Sequence, residues 1–159
     1  MIRRKFIATA AALGGLFALH RGAQSASTAR DKEWNLADAE WKKRLTPDQF
    51  HVLRDEGTER PGSSALNGEK RKGTFACAAC ELPLFKSEAK YESGTGWPSF
   101  YEFIPGNLGT KTDLKILYPR TEYHCIRCGG HQGHVFDDGP KPTGKRYCNN
   151  GVALKFVAA

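Results

Sequence analysis

"TEYHCIRCGGHQGHVF", residues 121–136, places a Cys-x-x-Cys turn, Cys125 to Cys128, between two β-prone runs. Thr, Tyr, Val and Phe suit a pleated surface, and the paired glycines after Cys128 suit a reversal of the chain, so the stretch reads as a hairpin with two thiols in its turn. The same spacing stands at Cys77 and Cys80 in "GTFACAAC", residues 73–80, again after a β-prone run. Two such turns, each presenting two thiolates, supply the four ligands that tetrahedral zinc requires. The pairs are separated by 44 residues, 81 to 124. A compact ribbon has about 15 to 20, so the intervening segment must itself be folded. Four thiolates leave no open coordination position, and the zinc is therefore expected to hold the fold and do no chemistry. The competing readings are a thioredoxin-like redox pair, which needs a βαβ setting that this pattern lacks, and disulfides.

Outward from the two turns, short β-prone runs continue between Gly, Pro and Asn: "DLKILY" (113–118), "RYCNN" (146–150) and "ALKFV" (153–157). An antiparallel β domain is expected, with helices packed outside it at the amino-terminal end. Residues 30–57 read as those helices, in "WNLADAEWKKRL" (34–45) and "TPDQFHVLRDEG" (46–57). Thr46 can cap the second, Pro47 suits its first position, Gln49 can close a capping box, and Gly57 is expected to end it. "TERPGSSALNGEKRKG" (58–73) reads as a polar surface loop with no evident chemistry.

At 159 residues the chain has room for one domain, expected over 30–159. Residues 1–29 carry Arg3 and Arg4, then an apolar run from Ile7 to Leu19, then small residues. That is the pattern of a twin-arginine export signal, which implies a periplasmic or otherwise exported protein; cleavage points lie between Ser25 and Ala29. A membrane anchor is the alternative, but about 13 apolar residues fall short of the ~20 that a bilayer needs, and stable membrane insertion is not expected. The segment holds four basic residues and no acidic one, so its removal takes the net charge from +7 to +3. Nucleic-acid binding is accordingly not expected from the charge.

Five cysteines leave one over, Cys148 in "GKRYCNN" (144–150). Taken alone it is a core filler, half of a disulfide, a spare ligand or a nucleophile. Together with "SGTGWPSF" (93–100), "HQGHVFDDGP" (131–140) and the two Cys-x-x-Cys pairs, its surroundings resemble the type B methionine sulfoxide reductases (the MsrB family), from about Trp41 to Phe156. The resemblance implies a mainly β fold of two antiparallel sheets, β-barrel-like (Mss4-like), with flanking helices and a structural zinc. It further implies an enzyme that reduces the R epimer of methionine sulfoxide in oxidised proteins and is regenerated by a thioredoxin-like or other thiol. A monomer is expected.

Sulfoxide reduction by thiolate attack requires a cysteine not spent on metal, and Cys148 alone qualifies. Arg146, two positions before it, favours the anion, and Asn150, two after, shares its strand face and can donate hydrogen bonds. Departing oxygen needs a proton, which histidine can supply. By resemblance His134 is that acid, with His131 lining the pocket; the alternatives are a further metal site or packing. Trp97 is by resemblance the apolar wall for the substrate methyl group, supported by Phe136. Many relatives carry a resolving cysteine in the third place of "SGTGW"; here it is Thr95, which leaves the oxidised Cys148 to an external thiol. The rival class is a zinc-ribbon-like module that binds protein or nucleic acid, with Cys148 incidental.

Overall fold

The computed structural model describes residues 33–159, so the expected export signal lies outside the described residues. Helices α1 (Asp38–Arg44) and α2 (Pro47–Leu53) come first. Thr46 closes the expected capping box with Gln49, its hydroxyl accepting from the Gln49 amide while the Gln49 side chain accepts from the Thr46 amide. Helix α2 ends at Leu53 and not at Gly57; the non-glycine residue with left-handed backbone here is Glu56 (φ 54°). No helix among the described residues is long and apolar enough to cross a membrane.

Among the described residues nine strands follow: β1 (Gly73–Cys77), β2 (Pro83–Lys86), β3 (Lys90–Tyr91), β4 (Ser99–Phe100), β5 (Leu108–Asp113), β6 (Arg120–Cys125), β7 (His131–Phe136), β8 (Arg146–Asn149) and β9 (Leu154–Ala158). They form two antiparallel sheets, ordered β2-β1-β9 and β3-β4-β8-β7-β6-β5. The fold is thus mainly β with two sheets, as expected.

Side chains alternate across each strand. On β6 and β8 one face carries Tyr123 and Tyr147 into the core, and the other carries Glu122 and Cys148. The core is aromatic: Phe75 and Phe85 of the small sheet meet Phe100 of the large one, with Phe85 and Phe100 stacked at 4.1 Å between ring centroids. Each ring is fully buried. Deleting one such ring costs about 3–5 kcal/mol, so these contacts contribute to holding the two sheets together. Trp41 of α1 is also fully buried, with the Arg54 guanidinium 5.0 Å from its ring.

One expected strand is absent. "DLKILY" does not form a strand of its own; β5 runs up to its first residue, Asp113, and stops there. The Asp113 carboxylate accepts from the Lys115 amide at 2.8 Å, a local turn that competes with strand pairing. Leu114, Ile116, Leu117 and Tyr118 consequently stand exposed.

Candidate active site

Strand register lines up a row of residues across the large sheet. Tyr91 pairs with Ser99, Ser99 with Cys148, Cys148 with His134 and His134 with Glu122. Directly opposed residues share a face with Cβ atoms about 4.5–5.5 Å apart, so Cys148 and His134 are neighbours. Cys148 is partly buried and opens on a cavity of about 290 Å³. Trp97, His134, Phe136, Arg146 and Asn150 stand in the wall of the same cavity.

Glycine is needed at two points around it. A Cβ at Gly133 would lie 1.9 Å from the Cys148 carbonyl oxygen, so only glycine lets β7 and β8 approach here. Gly96 has φ +91°, which turns the chain just before Trp97. The Trp97 indole N–H then donates to the Glu59 carbonyl at 3.1 Å, fixing the ring.

Glu59 does more than this. Its backbone N–H donates to Asn150 Oδ1 at 3.0 Å, and its carboxylate accepts from the amides of Gly151 and Val152 at 2.6 and 2.9 Å. Asn150 Nδ2 donates to the Gln132 carbonyl, so both ends of the carboxamide are fixed. The loop read as having no evident chemistry therefore positions Trp97 and Asn150, and its Thr58 joins the cavity wall.

Arg146 donates to both Asp138 oxygens at 2.8 Å and lies 4.3 Å over the Phe136 ring. Its positive charge is thereby held beside Cys148. Burial pushes the Cys148 thiol above its ordinary value, while Thr95, whose hydroxyl oxygen is 4.0 Å from Sγ, and Arg146 pull it back. His134 donates from Nε2 to Asp113 Oδ2 at 2.7 Å, which leaves Nδ1 as its free nitrogen. Burial lowers the His134 pKa against the opposing effect of Asp113. The Lys115 amide, His134 and Arg120 hold Asp113 well below the usual carboxylate range.

Both shifts favour the neutral forms, thiol and imidazole, in the free protein. Alkylation of Cys148 by iodoacetamide is therefore expected to accelerate as pH rises through a midpoint above the ordinary cysteine value of about 8.5. A rate that levels off below neutral pH would contradict it. Arg146→Gln should move the midpoint higher still.

His131 is not in the cavity wall. It is buried behind His134, their ring centroids 5.5 Å apart, and its Nδ1 meets Glu122 Oε1 at 2.8 Å. In a regular strand residues three apart face opposite ways. The pairing shifts between Tyr123 and His124: Tyr123 faces Gly133 but His124 faces His131, which leaves Gln132 as the extra residue. That bulge puts both histidines on one face. Burial disfavours a charged Glu122, but contacts from His124 and His131 outweigh it and hold the carboxyl at about 2.

The four remaining cysteines come together from both sheets. Cys77 ends β1, Cys125 ends β6, and Cys80 and Cys128 sit in the turns beyond. Their sulfurs all lie within 4.8 Å of one another, with Cys77 to Cys128 at 3.7 Å and Cys80 to Cys125 at 3.4 Å. Tetrahedral bonds of ~2.3 Å imply sulfurs about 3.8 Å apart, so the four residues fit a metal ion. All four are buried, and Arg127 and Arg54 donate to the Cys80 and Cys128 carbonyls at 3.0 Å. None of them lines the Cys148 cavity.

The residues that sequence reasoning missed are Thr58, Glu59, Asp113, Arg120 and Glu122. Arg120 stands in the cavity wall and donates to Asp113 at 2.6 Å. Glu59 and Asp113 act on partners 21 to 91 residues away, Arg120 acts on Asp113, seven residues before it across the chain reversal, and no spacing marks any of these residues in the sequence.

A family model described as the SelR domain matches residues 45–158. The peptide methionine sulfoxide reductase MsrB of Methanosarcina barkeri is 56% identical over 121 residues, covering 76% of this chain and 85% of that protein. That of Leptospira interrogans is 52% identical over 125 residues, covering 78% of this chain and 95% of its own length. The chloroplastic B1 enzyme of Arabidopsis thaliana is 52% identical over 125 residues, 78% of this chain and 62% of that protein. The matched domain contains both the four-thiol cluster and the Cys148–His134 pair, and with identity above half sustained across it, the chain belongs to the SelR domain family, that of the MsrB methionine sulfoxide reductases.

Proposed function

We propose that this protein reduces the R epimer of methionine sulfoxide in polypeptides, with Cys148 as nucleophile. The observation that carries the reading is a partly buried thiol set directly opposite His134 in a cavity walled by Trp97 and Phe136, while the other four thiols are gathered elsewhere. The relatives' names, peptide methionine sulfoxide reductase, point the same way. A binding module with an incidental cysteine has no use for that pairing.

The substrate's methyl group packs on Trp97 and Phe136. His134 Nδ1 takes the Cys148 proton, and the thiolate, favoured by Arg146 and Thr95, attacks the sulfoxide sulfur. The sulfur–oxygen bond of the substrate breaks, its oxygen accepts the proton held on His134 Nδ1, and Asn150 orients it. The hydroxide so released adds to Cys148 Sγ as the bond between Sγ and the substrate sulfur breaks, so that methionine leaves and Cys148, oxidised by two electrons, becomes a sulfenic acid. Asp113 fixes the His134 ring so that Nδ1 faces this chemistry, and His131 with Glu122 supports it from behind.

Zinc is the metal that suits four thiolates in a closed set. Cys77, Cys80, Cys125 and Cys128 would hold it, and the ion would tie the small sheet to the large one. The protein acts as a monomer, is exported to the periplasm by residues 1–29, and is regenerated by a thioredoxin-like or other thiol.

The test is turnover of separate R and S sulfoxide peptides with dithiothreitol; equal consumption of both would refute the assignment. Without reductant, one methionine per chain is expected, with Cys148 trapped by dimedone and no new intramolecular disulfide by mass. Thr95→Cys should then form a disulfide with Cys148, since the Thr95 hydroxyl already lies 4.0 Å from Sγ. Absence of that disulfide after substrate oxidation would show that the turn does not serve a resolving thiol.

A further inference from the structure

Of the six large apolar side chains that stand exposed among the described residues, four fall within positions 114–118. Their exposure runs from 39% at Ile116 to 106% at Leu117, with Leu114 at 71% and Tyr118 at 63%. Exposed singly such side chains are ordinary, but grouped in one segment they mark a contact surface.

The segment is pinned rather than loose. Its first residues are held by the Lys115 amide on Asp113 and by the Lys115 ammonium on Glu56 at 2.7 Å. Its far end is held by Arg120 on the other Asp113 oxygen. Both anchors belong to the reaction site: Asp113 holds His134, and Arg120 is in the cavity wall. The apolar loop therefore rises from the rim of the cavity that receives the sulfoxide.

We propose that the loop from Leu114 to Tyr118 docks the apolar residues that flank the oxidised methionine in the substrate chain. This rests on the reading that the substrate is a polypeptide. Once a sulfoxide side chain occupies the cavity, the residues before and after it must lie against the surface around it, and the loop tied to that surface through Asp113 and Arg120 offers exposed apolar side chains there. Burying side chains of the same character against Leu114 and Leu117 removes both surfaces from water, whereas polar flanks gain nothing. The cavity thus recognises the sulfoxide and the loop recognises its sequence neighbours.

The experiment uses two peptides with a central methionine-R-sulfoxide, one flanked by Leu and Val and one by Ser and Gly, together with N-acetyl-methionine-R-sulfoxide. The wild-type protein should show kcat/KM about tenfold or more higher for the apolar-flanked peptide, carried mainly by KM. Leu114→Ser combined with Leu117→Ser should bring the two peptides to near equality, leave N-acetyl-methionine-R-sulfoxide unaffected, and retain the metal content of the wild type. An undiminished preference in that variant would overturn the proposal. So would sedimentation showing a wild-type dimer that the variant dissociates, because the loop would then cover a second copy. Failure to reduce even N-acetyl-methionine-R-sulfoxide would instead refute the enzymatic reading on which the proposal rests.

Discussion

Cys148→Ser is expected to lower turnover of a methionine-R-sulfoxide peptide by about 10⁴-fold or more, with little change in melting temperature. The size follows from the chemistry: a hydroxyl at neutral pH is a far weaker nucleophile than a thiolate, and no other thiol lines the cavity to replace it. The mild structural effect follows from the setting, because Cys148 is only partly buried and serine is close to it in size. The decisive measurement pairs steady-state turnover with thermal unfolding on the same preparation. A variant retaining a tenth of wild-type activity would remove Cys148 from the nucleophile's role.

Replacing any one of Cys77, Cys80, Cys125 or Cys128 by serine should cost the fold rather than only the rate. Metal held by four thiolates contributes about 10–16 kcal/mol in small zinc domains, as much as the whole stability of a typical domain at about 5–15 kcal/mol. Here the cluster joins the end of β1 in the small sheet to the end of β6 in the large one. Its loss would also reach β7, where Gln132 Nε2 donates to Cys77 Sγ at 3.4 Å and the Gln132 carbonyl holds Asn150. Metal per chain by elemental analysis and the melting transition by circular dichroism are the readouts. One zinc per wild-type chain and a lost or strongly lowered transition in the variants are expected; a metal-free preparation that melts like the loaded one would contradict this.

Some of this protein was legible locally. The Thr46 capping box needs only neighbours three residues apart, and each Cys-x-x-Cys turn presents its thiols through local chain reversal. The alternation of "RYCNN" separates Tyr147 from Cys148 and Asn150 without knowledge of any other strand. "DLKILY" misled because β-propensity measures side-chain type and not burial; whether an apolar run is covered depends on what lies opposite, and here Asp113 turns the chain away from the sheet.

What the sequence alone determined was therefore the thiol inventory, the mainly β character and the identity of the unpaired cysteine, all of which follow from residue types and short spacings. Tertiary structure decided which groups meet. The bulge at Gln132 brought His131 and His134 to one face, strand register set His134 beside Cys148, and Glu59 reached Trp97 and Asn150 from 38 and 91 residues away. Those contacts are set by pairing between strands distant in the chain, and a side chain's partner across such a distance is fixed only when the whole sheet closes.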